Sequence, residues 1–170
     1  MGYAWDMRIT HELRYDAPVA EVYAMLGDPG FRAQVCTALH VVRQEITVEP
    51  TDRGMDVRLD MVQRTEGIPS FARKVVGDES RVIQAERWDA EQGADLEVQI
   101  PGKPGGIRGR ITLRPDGPDG SRTVESFDGE ATIKVPLIGG KLEGLIERLF
   151  TGGMDAEAEV GARWLAGERA

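Results

Sequence analysis

Little in this sequence could hold a metal, a disulfide or a membrane. The chain has one cysteine, Cys36, and two histidines, His11 and His40, in 170 residues. A single cysteine excludes an internal disulfide and fits a reducing cytosol, and three His and Cys together are too few for a zinc centre built from those ligands. Positive charge is also scarce. Twenty-one Lys and Arg stand against 29 Asp and Glu, a formal net charge of −8. Phosphate backbones and anionic leaflets repel such a chain, so neither a nucleic-acid partner nor membrane insertion is expected.

No apolar run reaches the roughly 18 residues that a membrane span needs. The start, Met1-Gly2-Tyr3-Ala4-Trp5-Asp6, has neither the basic nor the apolar region of a secretory signal, and Asp6 stands where a myristoylation motif wants Ser or Thr. A cytoplasmic protein is the resulting expectation. The nucleophile elbow Gly-x-Ser-x-Gly and the phosphate loop ending in Gly-Lys-Ser/Thr are both missing. Gly102-Lys103-Pro104-Gly105-Gly106 lies between two strand patterns and reads as a hairpin turn. No cofactor, metal or catalytic residue is assigned from these motifs, which favours a binder over an enzyme.

What is present is globular: 41% hydrophobic residues, with three Trp, four Phe and three Tyr, in one expected domain over residues 1–170. Met7 to Tyr15 alternates as a half-buried strand, with Met7, Ile9, His11, Leu13 and Tyr15 on one face. Asp16-Ala17-Pro18 opens a short helix carrying Val19, Val22, Tyr23 and Leu26, with Asp16 as the expected cap. Asp28-Pro29 opens a second, with Phe31, Val35 and Leu39 turned inward and Cys36 beside them. Alternation continues through 40–49 (Val42, Gln44, Ile46, Val48) and 55–61 (Met55, Val57, Leu59, Met61), with Gln63 next on that face. A short helix over 69–76, with Phe71 apolar and Gly77 as its C-cap, interrupts the strands.

Four more strands follow, at 81–90, 93–101, 107–115 and 121–135. In the first neither face is cleanly apolar, since Val82, Gln84, Glu86 and Trp88 form one set, as at an edge or a pocket rim. In the last, Glu125 faces inward if Phe127, Ala131 and Ile133 do. The loudest signal comes at the end, where Leu142, Leu145, Ile146, Leu149, Gly153, Ala156, Val160 and Trp164 fall on one face of a helix over about 140–165. Glu157 lies at the edge of that stripe, with its carboxylate expected to reach solvent. The pair Gly152-Gly153 weakens the helix centre, each glycine costing about 1 kcal/mol relative to alanine. Close approach of the sheet is the first reading of that pair, and a hinge is the second.

This order of elements resembles the helix-grip fold of the START-like (SRPBCC) superfamily, which includes birch-pollen-allergen-like proteins, polyketide cyclases and lipid-transfer domains. The resemblance is carried by Asp16-Ala17-Pro18-Val19-Ala20-Glu21-Val22-Tyr23, by Leu26-Gly27-Asp28-Pro29 and by Val135-Pro136-Leu137-Ile138-Gly139-Gly140-Lys141-Leu142-Glu143. Together these are similar to a family of short actinobacterial proteins of unknown function. The resemblance implies an α+β fold, with a curved antiparallel sheet of six or seven strands wrapped around a long C-terminal helix and two short helices after the first strand. It also implies a small, largely apolar ligand, lipid-like or polyketide-like, held between sheet and helix.

The candidate pocket residues are His11, Gln44, Met61, Gln63, Phe71, Trp88, Phe127, Leu145, Leu149 and Met154, in a cavity of roughly 300–1,000 Å³. Inward polar groups would orient the ligand. A cyclase- or dehydratase-like enzyme using His11 as acid and base is the alternative, and a protein-interaction or chaperone-regulator module is a third. The oligomeric state is left open.

Overall fold

The computed structural model describes residues 5–103, 105–134 and 139–169. The segment 135–138 of the terminal signal, Pro104 of the glycine turn and Met1–Ala4 lie outside them. Seven strands form one antiparallel sheet: β1 (Trp5–Tyr15), β2 (Arg43–Pro50), β3 (Met55–Arg64), β4 (Glu79–Trp88), β5 (Gly93–Gln99), β6 (Gly105–Asp116) and β7 (Arg122–Ile133). Their spatial order is β1-β7-β6-β5-β4-β3-β2. Consecutive strands pair as hairpins, and β7 returns to pair with β1 from Trp5↔Ile133 to Tyr15↔Thr123. The helices are α1 (Val19–Leu26), α2 (Pro29–Ala38), α3 (Ser70–Val76) and α4 (Gly139–Leu165). The fold is an α+β helix grip, a seven-stranded antiparallel sheet with a long C-terminal helix.

The alternation in sequence sets the two faces of the sheet. Ile9, Leu13 and Tyr15 of β1, Met55, Val57, Leu59 and Met61 of β3 and Phe127, Ala131 and Ile133 of β7 are buried in the core. The intervening residues carry cross-strand ion pairs on the outer face, such as Arg8–Asp128, Arg81–Asp60 and Arg114–Glu12. These pairs are exposed, and each contributes well under about 1 kcal/mol. Among the described residues the exposed large hydrophobics are Trp5, Val42 and Leu149.

Asp28 caps α2 as expected, accepting from the Gly30 amide at 2.8 Å ahead of Pro29. At α1 the capping position is Pro18, with no side-chain cap, so Asp16 does not serve there. β4 lies between β3 and β5, an interior strand rather than an edge. Its mixed inner face has another cause, described below.

The helix α4 runs unbroken through Gly152 and Gly153. Its tight contact lies elsewhere. A Cβ on Gly161 would come within 2.6 Å of the Tyr15 ring, whereas one on Gly152 or Gly153 would meet nothing within 4 Å. The expectation that the sheet presses on Gly152-Gly153 is therefore wrong, and the close approach is about two turns further on, at Gly161. Leu149, placed on the apolar stripe by spacing, is 54% exposed. Phe150 takes the inward position instead and stacks on Phe127 with centroids 4.7 Å apart. Glycines at 109 and 129 give that Phe127 ring its room, since a Cβ on either would come within 2.6 Å of the ring's Cζ.

Candidate functional site

The inner face of α4 differs along its length. Toward the C-terminus Val160 and Trp164 are buried, and Trp164 meets Phe31 of α2 edge-on at 5.8 Å. Toward the N-terminus Leu142 and Leu145 pack with Ile133 and with Ala72 of α3, joined by Phe71 and Ile68. Between these two packed ends sits Gly153. A helix turns about 100° per residue, so Phe150, Glu157, Val160 and Gly153 share one direction, toward the sheet. At the centre of that inward face nothing fills the space beside Gly153. On the sheet Val82, Gln84 and Val98, and on the helix Phe150 and Met154, are only half-buried. Between the two packed ends, the inward face of α4 therefore has an open space, a hollow, at Gly153.

At one side of this hollow lies a buried polar cluster. Arg32 of α2 is 1% exposed, and Glu86 of β4 and Glu125 of β7 are each 2% exposed. The Arg32 guanidinium donates from Nε to the Leu26 carbonyl at 2.7 Å and from both Nη atoms to Glu86, at 3.2 and 2.7 Å. Gln84 Nε2 and Trp88 Nε1 also donate to Glu86, both at 2.8 Å. This arginine is why β4 carries polar residues inward: a buried guanidinium needs a bidentate partner.

Two further carboxyls receive far less. Glu125 accepts from the Tyr15 hydroxyl at 3.0 Å, and Glu157 of α4 lies 3.6 Å from Arg32 Nη1. Burial, reinforced by the neighbouring Glu157 and Glu86 charges, pushes the Glu125 carboxyl well above the usual carboxylate range. Burial also lifts Glu157 to about 7, with Arg32 opposing and Glu86 adding to the rise. The Tyr15 phenol is raised too, first by burial and then by Glu125.

On the other side of α4, His11 Nε2 lies 2.7 Å from Asp155 Oδ1. Its side chain is 25% exposed and that of Asp155 63%. The pair ties β1 to the helix.

The sequence-selected residues divide accordingly. Met154 borders the hollow, and Met61 lies buried on the inner face of β3. Trp88 is buried, where it meets Tyr23 edge-on and donates to Glu86. Phe127 fills space under Phe150. Gln63 and Phe71 are half-buried toward the α3 end, with Leu145 buried nearby. Gln44, on the edge strand β2, and Leu149 are exposed. Sequence reasoning passed over Arg32, although its position beside Phe31 and three residues before Val35 puts it on the apolar stripe of α2. It also sent Glu157 to solvent, whereas the carboxyl turns inward and is 14% exposed.

Two further depressions lie outside the grip. One of about 660 Å³ opens on the outer face over Gly106, Gly109 and Gly129, between the ion pairs Arg8–Asp128 and Arg108–Glu97. Another of about 510 Å³ lies at the strand ends beside Arg14, Asp116 and Arg122. Both are edged by charged side chains, several of them in ion pairs with one another. Among the described residues no group of three or more His, Cys, Asp or Glu is placed to hold a metal ion, and no helix is long and apolar enough to cross a membrane.

The family described as "Protein of unknown function (DUF2505)" matches residues 10–165. Among curated proteins none matches the chain. Several solved structures share the fold. Norcoclaurine synthase from Thalictrum flavum superposes with a TM-score of 0.66 at 20% identity, over 96% of this chain and 88% of that one. The Zhui aromatase/cyclase from Streptomyces sp. R1128 gives 0.62 at 17%, over 96% and 99%. A START superfamily protein from Mycobacterium smegmatis gives 0.58 at 16%, over 93% and 98%.

Proposed function

Since the chain belongs to the DUF2505 family and carries the helix-grip fold, we propose that it is a cytoplasmic binding protein, one domain over residues 1–170, for a small and largely apolar molecule such as a lipid or a polyketide. The ligand lies between sheet and α4, beside Gly153. The observation that carries this reading is the open space beside Gly153 on the helix's inward face, together with the half-burial of Val82, Val98, Phe150 and Met154. Burial of a ligand there contributes affinity at about 25 cal/mol per Å² of apolar surface. Met61, Phe71, Gln63 and Leu145 extend the wall toward α3. The α3 segment, resting on Leu142 and Leu145, is placed to cover that end. Native mass spectrometry of the protein from its own cells tests the reading. A retained small molecule, lost on organic extraction and missing from Gly153→Trp, supports it. Retention unaltered by Gly153→Trp places the molecule elsewhere.

A second reading has its own observation. The His11–Asp155 contact of 2.7 Å supplies the oriented imidazole that a cyclase- or dehydratase-like reaction needs. On this reading His11 moves the proton and Asp155 fixes its ring. It requires that His11→Ala abolish turnover of a bound polyketide-like substrate while leaving its binding intact. Equal turnover in the variant and the parent removes it.

A further inference from the structure

The buried cluster beside the hollow has an uneven supply of donors. Glu86 takes four, two from Arg32 and one each from Gln84 and Trp88. With Arg32 it forms a neutral pair. Glu125 and Glu157 share the single Tyr15 hydroxyl, and Glu157 has besides it the 3.6 Å approach of the same guanidinium. A carboxylate can only accept, so Gln84 must turn its NH₂ toward Glu86 and its carbonyl oxygen away. Three acceptors therefore lack a full complement of donors: Glu157, Glu125 and the Gln84 carbonyl. Glu157 stands one helical turn from Gly153, on the same inward face, where the space is open. Glu157 and Gln84 both retain some exposure.

We propose that this end of the hollow takes the ammonium group of an otherwise apolar amine, seated against Glu157 and within reach of the Gln84 carbonyl and Glu125. The inference rests on the hollow being the ligand site and adds the chemistry of its head group. An ammonium supplies up to three donors and one positive charge, which are what the cluster lacks. Without such a ligand a proton serves instead, consistent with the raised position of both carboxyls. The groups facing Glu157 are Arg32 from α2, Glu86 and Gln84 from β4, Glu125 from β7 and Tyr15 from β1. Arg32 is the one cation among these. An anionic head group would meet two carboxyls and is excluded by repulsion. A neutral hydroxyl would gain one hydrogen bond and no charge pairing.

Calorimetric titration with octylamine, 1-octanol and octanoate tests this, in about 0.15 M salt to screen surface carboxylates. At pH 8 octylamine should bind about ten- to a hundredfold tighter than octanol, as one charge-assisted contact provides. Binding displaces the proton from Glu157, so octylamine affinity should fall about tenfold on going to pH 6, while octanol stays level. Octanoate should not bind. Glu157→Gln, nearly isosteric, should lose the amine preference and the pH response yet bind octanol as before, and Glu125→Gln should lose part of both. Equal affinity for amine and alcohol, or an amine preference that survives in Glu157→Gln, overturns the head-group assignment and leaves the hollow standing. Failure of all three ligands to bind overturns the hollow and this inference with it.

Discussion

Gly153 and Gly161 lie two turns apart on the inward side of one helix, and their surroundings are opposite. Gly161 is glycine because the Tyr15 ring occupies the place of its Cβ, while Gly153 has nothing within 4 Å of where a side chain would begin. The first position closes α4 onto β1, and the second leaves a gap between α4 and the sheet. The same residue type thus marks a packed end and an unpacked middle. On the proposed reading both are needed: a fixed end to hold the helix, and a gap for the ligand.

The strongest way to break this contrast is at the closed end. Arg32→Ala strips Glu86 of its bidentate partner inside the core, and should cost about 3–5 kcal/mol by chemical denaturation. A loss below about 1 kcal/mol, the level of a surface pair, would mean that the cluster is wetter than its burial shows. Gly161→Ala comes next. Its methyl overlaps the Tyr15 ring, and the strain of about 1–3 kcal/mol exceeds the helix gain of at most about 1, so the variant should unfold at lower denaturant.

A third probe is pH. Burial raises Glu157 from its ordinary 4.5 to about 7. Folding then favours the protonated form, and the stability this contributes is complete below about 4.5 and lost as pH rises through about 7. Relative to Glu157→Gln, which stays neutral, the parent protein should therefore lose stability between pH 5 and 8. A difference that is flat with pH would place Glu157 in water. The smallest effect belongs to Gly153→Ala. With no neighbour to strike, it should stabilise the helix by roughly 0.5–1 kcal/mol, and destabilisation would show that the gap is filled.

Much of the architecture is legible in the sequence, because a sheet with one wet face writes its alternation plainly. Ile9, Leu13 and Tyr15 of β1, and Met55 to Met61 of β3, point inward as their spacing requires. The site is less legible, for reasons that particular residues make clear. Arg32 looks like an ordinary polar residue on a short helix until Glu86, 54 positions later, is folded against it. Glu157 lies at the margin of an amphipathic stripe, and nothing local tells whether the margin meets water or an arginine. Leu149 and Phe150 are both apolar neighbours, and the groove made by Gly109 and Gly129 around Phe127 decides which one turns inward. A glycine in a helix is the hardest case, since its sequence signal is identical whether it faces a ring or a void.

The most direct test of the central claim uses the adjacent pair at the helix centre. Gly152 is exposed and Gly153 faces the sheet, and neither has an atom within 4 Å of a new Cβ. Fluorescence titration with the neutral apolar dye N-phenyl-1-naphthylamine should give saturable binding to the parent protein and to Gly152→Trp, and none to Gly153→Trp. Equal binding by the two tryptophan variants would contradict a ligand site between the sheet and α4.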